Sequence, residues 1–271
     1  MGPIEIFRDF PNPVDGSTRV VRVFTPEAYH LDPSARFPVL YMHDGQNVFA
    51  HPESAHPETW CANVAMEQLH RNRQLEPWII VAVDHPPDRF GEYTPWDYPA
   101  ARVRAKADRY ARFLLEHLKP WVDARYRTRP EARWTATMGS SLGGLIALYL
   151  GMAHGDAFGR VGALSPTVMW SDAEIYRRWA RHGRRWTRIY LDAGAQEHLL
   201  IDGIFLDYGA HARQFFTHLK HLGYDDHEVC LVLERPMPPA LSGAMGDHEY
   251  LVRDEDEAQL RAAIELVAAR A

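Results

Sequence analysis

The stretch Thr137-Met138-Gly139-Ser140-Ser141-Leu142-Gly143-Gly144-Leu145 constrains this chain more than any other. Ahead of it, Arg133-Trp134-Thr135-Ala136 reads as a short buried strand. Behind it, Ile146 to Leu150 is apolar and reads as helix. Strand, glycine turn and helix form the context in which G-x-S-x-G carries chemistry. Gly139 and Gly143 remove side chains that would collide where strand and helix approach. Ser141 can then hold a strained backbone with its hydroxyl exposed. The start of the helix aims N–H groups at negative charge developing beside that hydroxyl. Ser141 is the candidate nucleophile.

The rest of the chain supplies a frame for such a turn. Its 271 residues suffice for one large α/β core, and it reads as a single domain over residues 1–271. Residues 4–25 read as two strands joined at Asp15-Gly16-Ser17. Pro38–Met42, Trp78–Val83, Val161–Ser165, Arg188–Asp192 and Val229–Leu233 are short apolar runs that read as buried strands. Helices are expected over Ala62–Arg71, Ala107–Ala124, Ile175–Ala180, Tyr208–Leu222 and Glu255–Ala269, with Pro120 kinking or ending the second. Residues 88–100 and 192–200 read as loops. Strands alternating with helices predict a mostly parallel central sheet flanked by helices on both faces. Working residues in such sheets gather beyond the carboxyl ends of the strands. That rule selects the loops 43–50, 84–100, 139–143, 192–200 and 240–250.

A serine hydroxyl needs a base to take its proton and a third group to orient the base, in the chain order Ser, acid, His for this architecture. His248 lies after the last strand and is the candidate base. His198 is its rival, but that loop is needed for the acid. Asp192 at a strand end and Glu197 in the loop beyond it both qualify as the acid, and spacing does not separate them. The oxyanion of the reaction needs two convergent N–H groups. Leu142, next to the nucleophile, offers one; Gln46, following Gly45 in an early strand-end loop, offers the other. Asp44 either touches a substrate hydroxyl or holds that loop. Trp60, Tyr93, Trp96, Tyr98 and Trp170 fall in or near the selected loops, with Trp96 and Trp170 as candidate walls of an acyl or aryl pocket.

Other classes find no support. The net charge is −6, and nothing in the pattern points to a nucleic-acid or anionic-membrane partner. Cys61 and Cys230 are expected to be reduced thiols. Met1 to Phe10 carries Glu5, Arg8 and Asp9 without an apolar signal core, and no apolar run approaches a membrane span. A cytoplasmic location is therefore expected. The spacing in His51-Pro52-Glu53-Ser54-Ala55-His56-Pro57-Glu58 matches no zinc or calcium motif, so no metal is expected. Neither a P-loop nor G-x-G-x-x-G is present, so no nucleotide cofactor is expected.

Several motifs together carry a resemblance. They are Tyr41-Met42-His43-Asp44-Gly45-Gln46-Asn47, Glu92-Tyr93-Thr94-Pro95-Trp96, the run Pro120 to Thr128, Gly139 to Leu145, and Ala163-Leu164-Ser165-Pro166. In that order they resemble the putative esterase family, the enterochelin-esterase-like and feruloyl-esterase-like branch of the α/β-hydrolases. S-formylglutathione hydrolases and mycolyltransferases are relatives of that branch. The resemblance spans about residues 15–269. It implies the α/β-hydrolase fold and a metal-free triad: Ser141 as nucleophile, His248 as base, and Glu197 preferred over Asp192 because the acid falls in a loop of pattern G-x-x-E/D. It implies the N–H groups of Gln46 and Leu142 as oxyanion donors. The implied activity is serine carboxylic-ester hydrolysis of a small soluble acyl ester through an acyl-enzyme. An acyltransferase, or a non-catalytic binding module, would share the fold.

Overall fold

The computed structural model describes residues 1–54, 59–201, 204–234 and 254–268. An eight-stranded sheet runs through it in the order β1-β2-β4-β3-β5-β6-β7-β10. The strands are β1 (Ile4–Asn12), β2 (Ser17–Phe24), β3 (Val39–His43), β4 (Ile79–Val83), β5 (Thr135–Ser140), β6 (Arg160–Leu164), β7 (Arg188–Gly194) and β10 (Val229–Glu234). β2 is antiparallel to both β1 and β4. From β4 to β10 every pairing is parallel. The separate strands β8 (His198–Ile201) and β9 (Ile204–Asp207) pair antiparallel with each other.

The central strands are apolar runs because both of their faces are covered. Every residue of β3 and β4 is buried. Alternate side chains enter opposite layers. Val39, Tyr41, Ile79, Val81 and Val83 join one core, with α6 (Leu142–Ala153), Ile175 and Trp179 of α7 (Trp170–His182), and Phe215 of α8 (Tyr208–His221). Leu40, Met42, Ile80 and Ala82 join the other, against α2 (Ala62–Arg71) and α9 (Asp254–Ala268). Helices thus lie on both faces of a mostly parallel sheet. α6 is buried almost all round, as a helix wedged between sheet and outer helices must be. No helix among the described residues is long and apolar enough to cross a membrane.

The expected elements mostly stand, and the departures have local causes. Pro120 does not end its helix. α4 (Ala107–Arg112) passes into a wide π-turn over Phe113–Leu118 and then into α5 (Lys119–Arg125). Pro120 sits in the first turn of α5, where its missing N–H and its ring are tolerated after the widened turn. Residues 88–100 are not all loop: Asp88 caps α3 (Arg89–Tyr93) by accepting the Gly91 N–H at 3.1 Å. Residues 192–200 are not all loop either, since β8 pairs with β9 in the register Leu199↔Leu206. The sequence carried that signal in Asp202-Gly203 between two apolar triplets. α1 (Glu27–Leu31) is a short surface turn without a buried residue.

Candidate active site

The turn from β5 into α6 is as tight as the glycines predict. A Cβ on Gly139 would lie 2.7 Å from the backbone C and O of Gly143. Only bare backbone fits, and it forces Ser141 to φ 57° and ψ −119°. A serine remains in that region only when its surroundings hold it there. Here its N–H donates to the Leu164 carbonyl (3.0 Å), and its own carbonyl accepts from Leu145 (3.0 Å) and Thr167 (3.1 Å). The Ser141 side chain is partly exposed at the head of α6. The N–H groups of that helix's first turn, Leu142 included, face the same end.

The loop after β3 abuts this turn. Asp44 is in the left-handed region (φ 56°) and opens a short 3₁₀ turn over Gly45–Asn47. Gly45 is wedged against β4: a Cβ there would sit 2.7–2.8 Å from backbone atoms of Ala82, Val83 and Asp84. A Cβ on Gly143 would meet Asp44 Oδ2 at 3.2 Å, so the Gln46 loop and the first turn of α6 touch. The Gln46 side chain is engaged through Oε1, which accepts the His85 N–H at 3.3 Å. The Asp44 carboxylate is buried and accepts two hydrogen bonds from Arg89 of α3. Of the two roles weighed for Asp44, this geometry favours holding the loop.

Beneath the loop lies a buried polar chain. The Asp44 N–H donates to the Tyr93 hydroxyl (3.0 Å), and Tyr93 packs on Tyr110 with ring centroids 5.4 Å apart. The Tyr110 hydroxyl is 3.0 Å from His43 Nδ1, and His43 Nε2 is 3.0 Å from Thr137 Oγ1 on β5. Burial lowers the His43 pKa to about 4, so its ring is neutral and donates with one nitrogen while accepting with the other. His43 therefore belongs to the scaffold linking β3 to the strand that leads into the nucleophile.

Both acid candidates gather at the carboxyl end of β7, Asp192 within the strand and Glu197 beyond it. Asp192 is fully buried, and its Oδ1 accepts the Ser165 N–H at 3.1 Å. Glu197 Oε2 accepts from the Gly194 N–H (3.0 Å) and from the Ser165 hydroxyl (2.5 Å). Ser165 thus touches both acids, through its backbone in one case and its side chain in the other. The candidate base His248 lies outside the described residues. Ser141 Oγ is 3.2 Å from Thr167 Oγ1.

Both candidate tryptophans are partly buried against the same core. Trp170 donates its backbone N–H to Thr167 (3.1 Å), which ties it to the nucleophile's own neighbour. Its ring stands edge-on to Tyr98 (5.1 Å) and tilted to Phe90 (6.1 Å). Phe90 is 55% exposed while Trp170 packs against the core, so the three rings run from the core out to the surface. Trp96 packs edge-on to Tyr149 of α6 at 6.3 Å. His51 and Glu53, from the stretch tested for metal, are engaged otherwise: His51 Nδ1 accepts the Glu53 N–H, and Glu53 pairs with Arg8. His56 and Glu58 lie outside the described residues.

Three residues of this region carry contacts that the sequence does not announce, although Ser165 falls in one of the motifs of the resemblance. Arg89 carries no motif of its own, and its partner is distant in sequence. Ser165 and Thr167 follow β6, a strand end that the selected loops passed over although the same rule applies to it.

The family model described as "Esterase: Putative esterase" matches residues 15–250. A Bacillus subtilis (strain 168) protein, YbbA, itself described as uncharacterized, is 23% identical over 243 residues, covering 85% of this chain and 87% of its own. Among solved structures, an IroE-like serine hydrolase from Shewanella oneidensis superposes with a TM-score of 0.72 at 17% identity, over 98% of this chain and 79% of that one. The BES protein from Bacillus cereus gives 0.70 at 16% identity, over 98% and 95%. The enterobactin esterase FES from Shigella flexneri gives 0.68 at 19% identity, over 97% of this chain and 59% of its own. At these identities the superpositions establish a shared fold.

Proposed function

The chain belongs to the putative esterase family, an esterase-type hydrolase with the α/β-hydrolase fold, and from that premise we propose that it is a serine carboxylic-ester hydrolase acting on a small soluble acyl ester. The observation that carries this reading is the strained Ser141 (φ 57°, ψ −119°) at the head of α6, in a turn where Gly139 has no room for a Cβ against the backbone of Gly143. Ser141 Oγ attacks the ester carbonyl while His248 takes its proton. The oxyanion accepts hydrogen bonds from the Leu142 and Gln46 N–H groups. His248 then protonates the departing alkoxide, leaving an acyl group on Ser141. Water, deprotonated by His248, attacks that acyl-enzyme, and Ser141 recovers its proton as the acid is released. Glu197 orients the imidazole and stabilises it when charged. The contact between Asp44 and Gly143 supports the convergence of the two N–H donors.

The acyl group enters along the wall of Phe90, Tyr98 and Trp170. Ferulic acid and enterobactin esterases share the fold, so an aryl acyl ester is the first substrate to try. The test is hydrolysis of p-nitrophenyl acetate and of esters of aromatic acids by pure protein, with Ser141→Ala beside it. Fluorophosphonate labelling of wild type only, together with loss of turnover in Ser141→Ala, is the expected result. Retained turnover in the variant sinks the mechanism.

A further inference from the structure

We propose that Ser165-Pro166-Thr167, the tripeptide following β6, is a clamp that fixes the nucleophile relative to the acid, with Ser165 and Thr167 acting as positioning residues. This rests on the assignment of Ser141 as nucleophile and Glu197 as acid. Those two residues follow β5 and β7, which are not neighbours: β6 lies between them in the sheet. A base working between nucleophile and acid needs their separation held closely. Both residues have direct contacts to the tripeptide at the end of the intervening strand.

Each residue of the tripeptide is itself fixed. Ser165 takes a left-handed backbone (φ 38°), which a serine adopts only under constraint. The constraint is visible: its N–H donates to both the carbonyl (3.0 Å) and the carboxylate Oδ1 (3.1 Å) of Asp192. That backbone aims the Ser165 hydroxyl at Glu197 Oε2, 2.5 Å away. The Gly194 N–H donates to the same oxygen, so two donors hold one side of the carboxylate. Pro166 seats on the first turn of α6, where a Cβ on Gly144 would lie 3.0 Å from the proline Cβ. Thr167 then returns to the nucleophile, its N–H on the Ser141 carbonyl (3.1 Å) and its hydroxyl 3.2 Å from Ser141 Oγ. In this scheme Asp192 braces the clamp and Glu197 is what the clamp holds.

The test uses p-nitrophenyl acetate kinetics with Thr167→Val, Thr167→Ser, Ser165→Ala and Glu197→Ala, and with Ser165→Ala combined with Glu197→Ala. Thr167→Val keeps the shape and removes the hydroxyl. It is expected to lower kcat about tenfold with KM within about twofold, and Thr167→Ser to restore most of the loss. Ser165→Ala is expected to lower kcat by a similar factor alone and to add nothing when Glu197 is already alanine, because its partner is gone. Unfolding temperatures are read on every variant. Should Ser165→Ala fail to fold, the Thr167 pair still decides. Thr167→Val turning over like wild type overturns the clamp, as does an equal loss from Ser165→Ala with and without Glu197. Wild-type turnover by Glu197→Ala instead overturns the acid assignment and the Ser165 half of the clamp with it.

Discussion

Asp44 and Arg89 meet in a two-point ion pair, Nε to Oδ1 at 2.7 Å and Nη2 to Oδ2 at 2.8 Å. The carboxylate is buried and the guanidinium about three-quarters so. Arg89 also lies over the Tyr93 ring, whose hydroxyl accepts the Asp44 N–H. One arginine therefore fixes both the side chain and, through Tyr93, the backbone of the residue that opens the Gln46 turn. Arg89→Ala is expected to lower kcat/KM on a short ester about tenfold and to cost ~1–3 kcal/mol, since it strands a buried carboxylate. Arg89→Lys should recover only part, because an ammonium cannot match two oxygens in a plane. Chemical denaturation and steady-state kinetics on the two variants check this. Wild-type values for Arg89→Ala would remove the pair from any role in shaping the turn.

The two acids should fail differently. Asp192 is fully buried and braces Ser165, whereas Glu197 sits at the partly exposed end beyond β7. Asp192→Ala is expected to reduce stability by ~1–3 kcal/mol, and Glu197→Ala to lower kcat by a factor of about 10² or more at near-normal stability. Full activity in Glu197→Ala beside a dead, well-folded Asp192→Ala would reverse the assignment.

His43 makes stability depend on pH. Its pKa is about 4 when folded and about 6.5 when exposed, so the unfolded chain binds more protons between those values. The contribution is present in full above pH 6.5 and is lost as the pH falls toward 4. The span is worth ~3 kcal/mol at most. His43→Gln keeps a donor and an acceptor without a titrating ring. Its unfolding free energy should fall less steeply across that window in parallel urea titrations. Equal slopes would show that other groups govern the acid limb.

Glycine positions at the elbow should rank by what a methyl group meets. At Gly139 it strikes backbone of Gly143 at 2.7 Å; at Gly143 it meets Asp44 Oδ2 at 3.2 Å and His43 Cβ at 3.6 Å. Gly139→Ala is expected to be the more destabilising, by ~1–3 kcal/mol or more, because backbone cannot step aside. Gly143→Ala should fold and lose activity through the displaced Asp44. Melting curves beside esterase assays separate the two, and the reverse ranking would contradict the packing.

Trp170 tests the wall. Its indole Nε1 is buried with no hydrogen-bond partner among the described residues. Trp170→Ala should raise KM for esters of aromatic acids about tenfold and leave p-nitrophenyl acetate nearly unchanged, with Trp170→Phe between them. A uniform change on all esters would assign the ring to packing.

What the sequence made legible follows from how local each signal was. The β3 and β4 runs were readable because strands covered on both faces must be apolar throughout. The elbow was readable because one close approach demands glycine at fixed offsets. Helix α2 begins and ends where its pattern does. Arg89 was not readable: its meaning is a contact with Asp44, which only the folded chain creates. The left-handed backbone of Ser165 was equally hidden, since serine carries no marker of it. The π-turn before Pro120 reconciles two signals that conflict locally, an amphipathic period and a proline within it.

The β8–β9 hairpin leaves and rejoins the site at one point. The Glu197 N–H donates to the Gly194 carbonyl (3.1 Å), and the Glu197 carbonyl accepts from Tyr208 (3.0 Å) as α8 begins. The chain is therefore stitched shut at the hairpin's root, directly beside the acid. Leu199 and Leu206 of the hairpin pack back onto Ala193 and Tyr208, so the hairpin's inner end is part of the wall behind the acid. A change at the hairpin's root would therefore reach Glu197 through two backbone hydrogen bonds and through that packing together.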